Sequence, residues 1–111
     1  MTTTQLEKSQ WQGYFDNVSK ALGAKLVELE VAGLNLGDQL EIDWVPLIGL
    51  SYDPKDDVMA IAVEGIEHNI LHPKQINVEQ DVETLYNMEV VDGSGDHHIL
   101  RLKDPLKLKA A

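Results

Sequence analysis

The sequence predicts an α+β protein in which an N-terminal amphipathic helix packs on a mostly antiparallel sheet of five to seven strands. Between Trp11 and Leu22, apolar residues recur at steps of three and four. From Lys25 onward the apolar period changes to two, which is typical of half-buried strands. A chain of 111 residues, 43% of them hydrophobic, can bury a core as one domain spanning 1–111.

The helix is expected at about residues 5–22. Thr4 and Glu7 have the spacing of a capping box, with a hydroxyl at the N-cap and a carboxylate three residues later. One apolar stripe follows, made of Trp11, Tyr14, Phe15, Val18, Ala21 and Leu22. Gly23 suits the left-handed position after the helix. Because the stripe is rich in aromatic residues, we interpret it as core rather than as a small-molecule pocket around Trp11, Phe15 and Trp44.

Alternating strands predict a sheet over about residues 25–103. The inward positions of the first two strands are Val27, Leu29, Val31, Leu40, Ile42 and Trp44. Pro46 interrupts the alternation and cannot donate to a ladder, so we expect a bulge, a bend or an edge position there. Residues 66–71 fit either a helical turn or a strand, and alternation around Ile76 and Val78 suggests another short strand.

Asp53 and Pro54 have type I turn chemistry and predict the first hairpin. The proposed register pairs Tyr52 with Asp57, Leu50 with Met59, and Ile48 with Ile61. This register places Ile48 on the bulkier, helix-facing side of the sheet.

The second hairpin turns at Asp92-Gly93-Ser94-Gly95-Asp96. Only an odd loop puts all its apolar positions on one face. With Ser94 at the centre, the opposed pairs are Val90 with His98, Met88 with Leu100, and Tyr86 with Leu102. After this strand we expect a loosely held tail over 104–111.

Composition excludes several classes of function. The chain has no cysteine, which removes disulfides, thiolate metal sites and cysteine nucleophiles. Its net charge of −10 disfavours nucleic acids and anionic membrane surfaces as partners. No apolar run approaches the length of a membrane span and the first residues do not resemble a signal peptide, so we expect a cytoplasmic protein. No Walker A or GxGxxG pattern occurs, and no cofactor is expected.

Charge is uneven along the chain. Residues 28–67 hold ten acidic residues and only one basic residue, whereas 101–111 is mainly basic. The simplest interpretation is a basic end that folds onto an acidic body. The alternative is complementary ends that mediate self-association or capture a basic partner.

Histidines supply the candidate metal ligands, His68, His72 and His98. His68 and His72 are four residues apart, as in a zinc-binding helix, but Asn69 stands where the HExxH motif needs glutamate. Pro73 disfavours helical geometry at His72. His97 and His98 point to opposite faces of a strand. A site that combines one of these two with His68 or His72 and a carboxylate remains open.

Other catalytic and calcium motifs are weak. No serine lies in a GxSxG elbow, and Ser94 sits between glycines that a hairpin loop needs for backbone reasons. The acidic segments 53–57 and 92–96 lack the ligand spacing of an EF-hand and are interpreted as turns. We therefore assign no catalytic residue.

Several segments together resemble a known family. They are Leu34 to Gln39, Trp44 to Asp57 with its Asp-Pro-Lys-Asp-Asp turn, His72-Pro73 with Ile76, Glu89 to Asp92, and Arg101 to Leu106. From about Tyr14 onward the chain resembles small uncharacterised bacterial proteins classed as a domain of unknown function. The resemblance implies a bacterial, soluble, single-domain protein, and it implies no activity and no site residues.

Two functions are carried forward. The first is a non-enzymatic protein-interaction module that self-associates, because open sheet edges often pair with another copy. The second is a metal- or small-ligand-binding protein that uses histidines and acidic residues.

Overall fold

The computed structural model describes residues 2–21, 25–33, 37–81 and 84–107. Its elements are β1 (Thr2–Leu6), a 3₁₀ turn (Lys8–Gln10), α1 (Trp11–Ala21), β2 (Leu26–Gly33), β3 (Gly37–Asp53), β4 (Val58–Val63), β5 (Ile66–Leu71), β6 (Pro73–Asp81), β7 (Thr84–Asp92) and β8 (His97–Lys107). The strands form one antiparallel sheet in the order β1-β6-β7-β8-β2-β3-β4-β5. The helix and the antiparallel sheet are confirmed, but the described residues form eight strands rather than five to seven.

The described residues begin with strand β1, so the expected helix start at residue 5 is wrong. Residues 2–6 pair with β6, because a run of threonines favours extended structure. The capping box lies three residues later than expected, where the Glu7 amide donates to the Gln10 side chain at 3.1 Å. Residues 22 and 23, the expected helix end and its glycine cap, lie outside the described residues.

The apolar stripe of α1 faces the core as expected. Trp11, Phe15 and Val18 are buried, and Tyr14 packs half-buried beside them. The rings of Trp11 and of Tyr52, from β3, are nearly perpendicular, with 5.1 Å between their centroids. The helix therefore lies against β3. No helix within the described ranges is both long and apolar enough to span a bilayer.

β3 changes partner along its 17 residues. Its first part pairs with β2 and its last part with β4. Pro46 faces Leu26, the first residue of β2, so Leu50 lies beyond the reach of that strand. There the Ser19 hydroxyl of α1 donates to the Leu50 carbonyl at 2.7 Å and accepts from the Leu50 amide at 3.0 Å. A side chain of the helix thus replaces a strand along this edge.

The irregularity expected near Pro46 is present as bulges in β3. Register shifts occur opposite Leu29 in β2 and between Leu47 and Gly49. Trp44 adopts a positive φ of 50°. These bulges reverse the expected direction of three side chains, so that Leu40, Trp44 and Ile48 are exposed while Ile42 is buried.

The first hairpin pairs two residues away from the expected register. Tyr52 faces Met59 and Leu50 faces Ile61, because Asp57 takes a positive φ of 56° and stays in the turn. An even shift keeps every side chain on its expected face. Only Ile48 departs, since it sits in the bulge.

The second hairpin has the expected odd loop and the pairs Val90 with His98 and Met88 with Leu100. Gly95 supplies a positive φ of 89° in the turn. The expected pair of Tyr86 and Leu102 is wrong, because β8 bulges and sets Leu106 opposite Leu85 instead.

The loosely held tail expected from residue 104 is also wrong for its first part. β8 continues to Lys107 and buries Leu106 in the core, whereas 108–111 lie outside the described residues. The ambiguous segment 66–71 is strand β5. One hydrophobic cluster draws on the helix and on all eight strands.

Candidate functional site

Two of the three candidate histidines meet in the structure. His68 lies in β5 opposite the buried Ile61, so its ring is on the core face of the edge strand. His98 lies in β8 between Val31 and Val90, with 6% of its surface exposed. His68 Nε2 is 3.0 Å from His98 Nδ1. We call these two residues the histidine pair.

The carboxylate of Asp92 contacts the His98 ring of the histidine pair. Asp92 Oδ2 is 2.9 Å from His98 Nε2, and Asp92 Oδ1 accepts from the amides of Ser94 and Asp96 at 2.9 and 3.1 Å. The hairpin loop therefore fixes the carboxylate through its own backbone. Asp92 was interpreted from the sequence only as a turn residue. The sequence did contain a signal for this contact. Side chains alternate along a strand, so residues 90, 92 and 98 share one face in the register that the loop requires.

These contacts set the direction of the hydrogen bonds. An ionised Asp92 only accepts, so a neutral His98 carries its proton on Nε2. Its Nδ1 is then an acceptor and receives the Nε2 proton of His68. The order is Asp92, His98, His68, with His68 Nδ1 at the outer end.

The protonation states of Asp92 and His68 follow from their surroundings. Burial on its own raises the pKa of Asp92, but hydrogen bonds from His98 and from the loop amides outweigh it and bring that pKa below the ordinary 3.8. Burial and the adjacent His98 lower the pKa of His68, and the Glu41 carboxylate offsets part of the effect. At neutral pH the carboxylate is therefore ionised and His68 is neutral.

A groove of about 500 Å³ lies beside these hydrogen-bonded side chains, between the end of β5 and the β7–β8 loop. Its lining includes Ser94, Asp92 and His98. Both ring nitrogens of His98 are already bonded, to Asp92 and to His68. No hydrogen bond links His98 to the Ser94 hydroxyl, so the three residues do not form the nucleophile–base–carboxylate arrangement of a serine hydrolase.

His72, the third candidate ligand, belongs to another group. Its Nδ1 is 3.3 Å from Asp57 Oδ2, and its side chain is 72% exposed. Asp57 Oδ1 accepts the hydroxyl proton of Tyr52 at 2.6 Å and lies 3.6 Å from Lys8 Nζ. Within the described ranges, no three histidine or carboxylate side chains are grouped closely enough to hold a metal ion.

The acidic turns and the basic end have intramolecular partners. Asp53 Oδ1 accepts from the amide of Lys55 at 2.9 Å, as an aspartate turn does. One guanidinium nitrogen of Arg101 lies 3.0 Å from both Glu28 and Glu30. Part of the basic end thus folds onto the acidic body.

Strand β5 is the second notable feature of this region. It is the last strand in the sheet order and pairs with β4 over six residues without a register shift. Ile66 and Leu71 are exposed by 55% and 61%. Charged side chains, prolines and bulges usually protect such edges, and β5 has only Glu67.

Comparisons with known proteins give a consistent picture. The model of the "Family of unknown function (DUF5335)" matches residues 2–111. A protein of Aquifex aeolicus (strain VF5), titled "Uncharacterized protein", is 49% identical over 109 residues, covering 97% of this chain and 98% of its own. No solved structure matches.

Proposed function

The chain belongs to the family of unknown function DUF5335, and from that premise we propose that it is a non-enzymatic interaction module that pairs with a second copy through strand β5. The supporting observation is the exposed, uninterrupted edge of β5 with its two exposed apolar side chains. The other sheet edge, β1, presents mainly threonines and is less suited to apolar contact.

A second copy is favoured as the occupant because the sequence of β5 is self-complementary. Ile66-Glu67-His68-Asn69-Ile70 has the same order of residue classes from either end. Two antiparallel copies related by a two-fold axis at His68 would place Ile66 opposite Ile70 and Glu67 opposite Asn69. Apolar groups then face apolar groups, and each carboxylate faces an amide, as a two-fold interface requires.

The net charge of −10 argues against nucleic acids and anionic membranes as partners of this edge. A cytoplasmic location is part of the proposal, and it is compatible with a chain that has no cysteine and so forms no disulfide.

Sedimentation velocity tests the self-pairing. We expect the wild type to shift from monomer toward dimer across about 1–200 µM, the range of a weak edge interaction. Ile66→Lys places a charge on the edge and should keep the chain monomeric. Ile48→Lys is the matched control, because Ile48 is also an exposed isoleucine but lies in the β3 bulge. A wild type that stays monomeric, or an Ile66→Lys variant that dimerises equally well, would contradict the proposal.

Binding of a divalent metal is the second candidate function, and the histidine pair is the observation that favours it. Two nitrogens on a tetrahedral zinc lie about 3.4 Å apart, close to the separation in this pair. A carboxylate behind one histidine, as Asp92 is here, typically orients a metal ligand. Because His72 lies elsewhere, water or a partner would have to complete the coordination.

Thermal unfolding with zinc, manganese or calcium tests this second function. If it is correct, a saturating metal raises the unfolding midpoint of the wild type but not of His68→Gln. His97→Gln is the control, since His97 is exposed and bonded to Glu89 at 3.0 Å on the other face. An unchanged wild-type midpoint with every metal would dispose of this function.

A further inference from the structure

The groove beside the histidine pair lies at the free edge of β5. One side is lined by Asn69, Ile70, Leu71 and His72, and the other by the β7–β8 loop. The His72 amide donates to the Asp57 carbonyl at 2.9 Å, and bonds of this kind recur at every second residue of an antiparallel ladder. The backbone groups of Asn69 and Leu71 therefore point away from β4, toward the open edge.

The walls of this groove are held in place by the fold. A Cβ at Gly93 would lie 3.3 Å from the Cβ and from the carbonyl oxygen of His72, so the loop packs closely against the corner between β5 and β6. The amides of Ser94 and Asp96 donate to Asp92 and fix the shape of the loop. The volume of about 500 Å³ lies in the range of about 300–1,000 Å³ found for pockets that take drug-sized ligands. The groove is therefore preformed, and it has room for a turn of two residues.

Self-pairing of β5 would bring one particular segment of a second copy to this groove, and this step rests on the proposed function. With the two-fold axis at His68, Ile66 of the second copy lies opposite Ile70. The two residues before it, Glu64-Gly65, connect β4 to β5. They would lie just beyond that pair, beside Leu71, where the groove is.

We propose that the groove receives the β4–β5 turn of a second copy, so that each copy inserts one turn and accepts one. Directly opposed residues share a face, so the side chain of Ile66 of the second copy would lie beside Ile70. Ile66 is 55% exposed in the single chain and would gain apolar contact there. Gly65, with a φ of 88°, allows the tight turn that has to enter. A two-fold axis makes the two contacts identical.

Cysteine alkylation tests the contact from both of its sides, because the natural chain has no cysteine. Glu64→Cys reports on the turn and Ser94→Cys on the groove, and both positions are exposed in the single chain. Between about 1 and 200 µM protein, we expect the rate of reaction with excess iodoacetamide to fall about threefold or more at both positions, since access limits thiol reactivity. Gln12→Cys, on the exposed side of α1, is the control and should react at one rate throughout.

Adding Ile66→Lys to either cysteine variant should restore the fast rate at every concentration, because it prevents the strand pairing. A rate that stays constant at position 64 or at position 94, in a range where sedimentation shows the dimer, would overturn the groove contact and leave the strand pairing intact. A wild type that never dimerises would refute both proposals.

Filling the groove gives a second test that does not depend on thiol chemistry. Ser94→Trp places a large side chain in the groove and should raise the dimer dissociation constant about tenfold in sedimentation velocity. Gln12→Trp adds the same side chain on α1 and should leave that constant unchanged. A Ser94→Trp variant that dimerises as tightly as Gln12→Trp would contradict the proposal.

Discussion

At the end of a core strand, a hydrogen bond offsets the desolvation of the buried Tyr52 hydroxyl. Its ring packs against Trp11, and its hydroxyl donates to Asp57 at 2.6 Å. The hydrogen bond from Tyr52 is the main reason that the pKa of Asp57 lies below its ordinary 3.8. Burial, reinforced by Asp57, raises the pKa of Tyr52 to about 12.

Replacing Tyr52 by phenylalanine removes this hydrogen bond and keeps the ring. We expect a loss of about 1 kcal/mol in the free energy of unfolding, measured in urea at neutral pH. Tyr86→Phe is the control, because Tyr86 donates to Asp81 at 3.1 Å from a more exposed position. Equal effects of the two substitutions would show that burial of the Tyr52 bond is unimportant.

Tyr52 also makes the stability of the folded protein depend on pH in the alkaline range. Burial also raises the pKa of Tyr14 to about 12. As the pH rises above the ordinary 10.0, the unfolded chain ionises both tyrosines while the folded chain retains their protons. Stability should therefore fall between pH 10 and about pH 12. Replacing both tyrosines by phenylalanine should flatten this limb of the urea midpoint curve, and an unflattened limb would contradict the assignment.

Elements of the fold were predictable to different degrees. Strands that alternate regularly were predictable from the sequence, whereas strands that contain bulges were not. Alternation gave the correct faces in β2 and in the parts of β7 and β8 next to their loop, and the requirement for an odd loop gave the Val90–His98 pair. Bulges in β3 could not be placed, because each extra residue inverts the faces that follow it. The approach of β5 to β8 was also beyond prediction, since it depends on the curvature of the whole sheet rather than on local spacing.

Ser19 is the contact through which α1 replaces a strand beside β3. Ser19→Ala should cost about 2 kcal/mol of unfolding free energy, because the amide and carbonyl of Leu50 would both lose their partner. Ser51→Ala, on an exposed position of the same strand, should change stability by less than about 0.5 kcal/mol. A Ser19→Ala variant as stable as the wild type would show that water satisfies Leu50 equally well.

At the scale of the whole molecule, the net charge opposes the edge pairing that we propose. Each copy carries a net charge of −10, so two copies repel at low ionic strength. The Arg101 side chain, which could attract a second copy, lies within 3.0 Å of Glu28 and Glu30 of its own chain. The proposed association through β5 would therefore depend on backbone pairing and apolar contact rather than on complementary ends.

Added salt should accordingly strengthen the association. Between about 0.05 and 0.5 M sodium chloride, screening of the mutual repulsion should lower the dimer dissociation constant several-fold in sedimentation equilibrium. A dissociation constant that rises with salt would instead favour attraction between the basic end of one copy and the acidic body of another.

Site-directed crosslinking tests the pairing of β5 with its copy most directly, because the natural chain has no cysteine. In the two-fold pairing, position 67 of one copy faces position 69 of the other. Directly opposed strand residues lie about 4.5–5.5 Å apart, within disulfide range, whereas diagonal neighbours at about 7–8 Å are too distant. An oxidised mixture of Glu67→Cys and Asn69→Cys should form a covalent dimer, and neither variant should do so alone. No covalent dimer in the mixture, or equal crosslinking by the separate variants, would contradict the pairing.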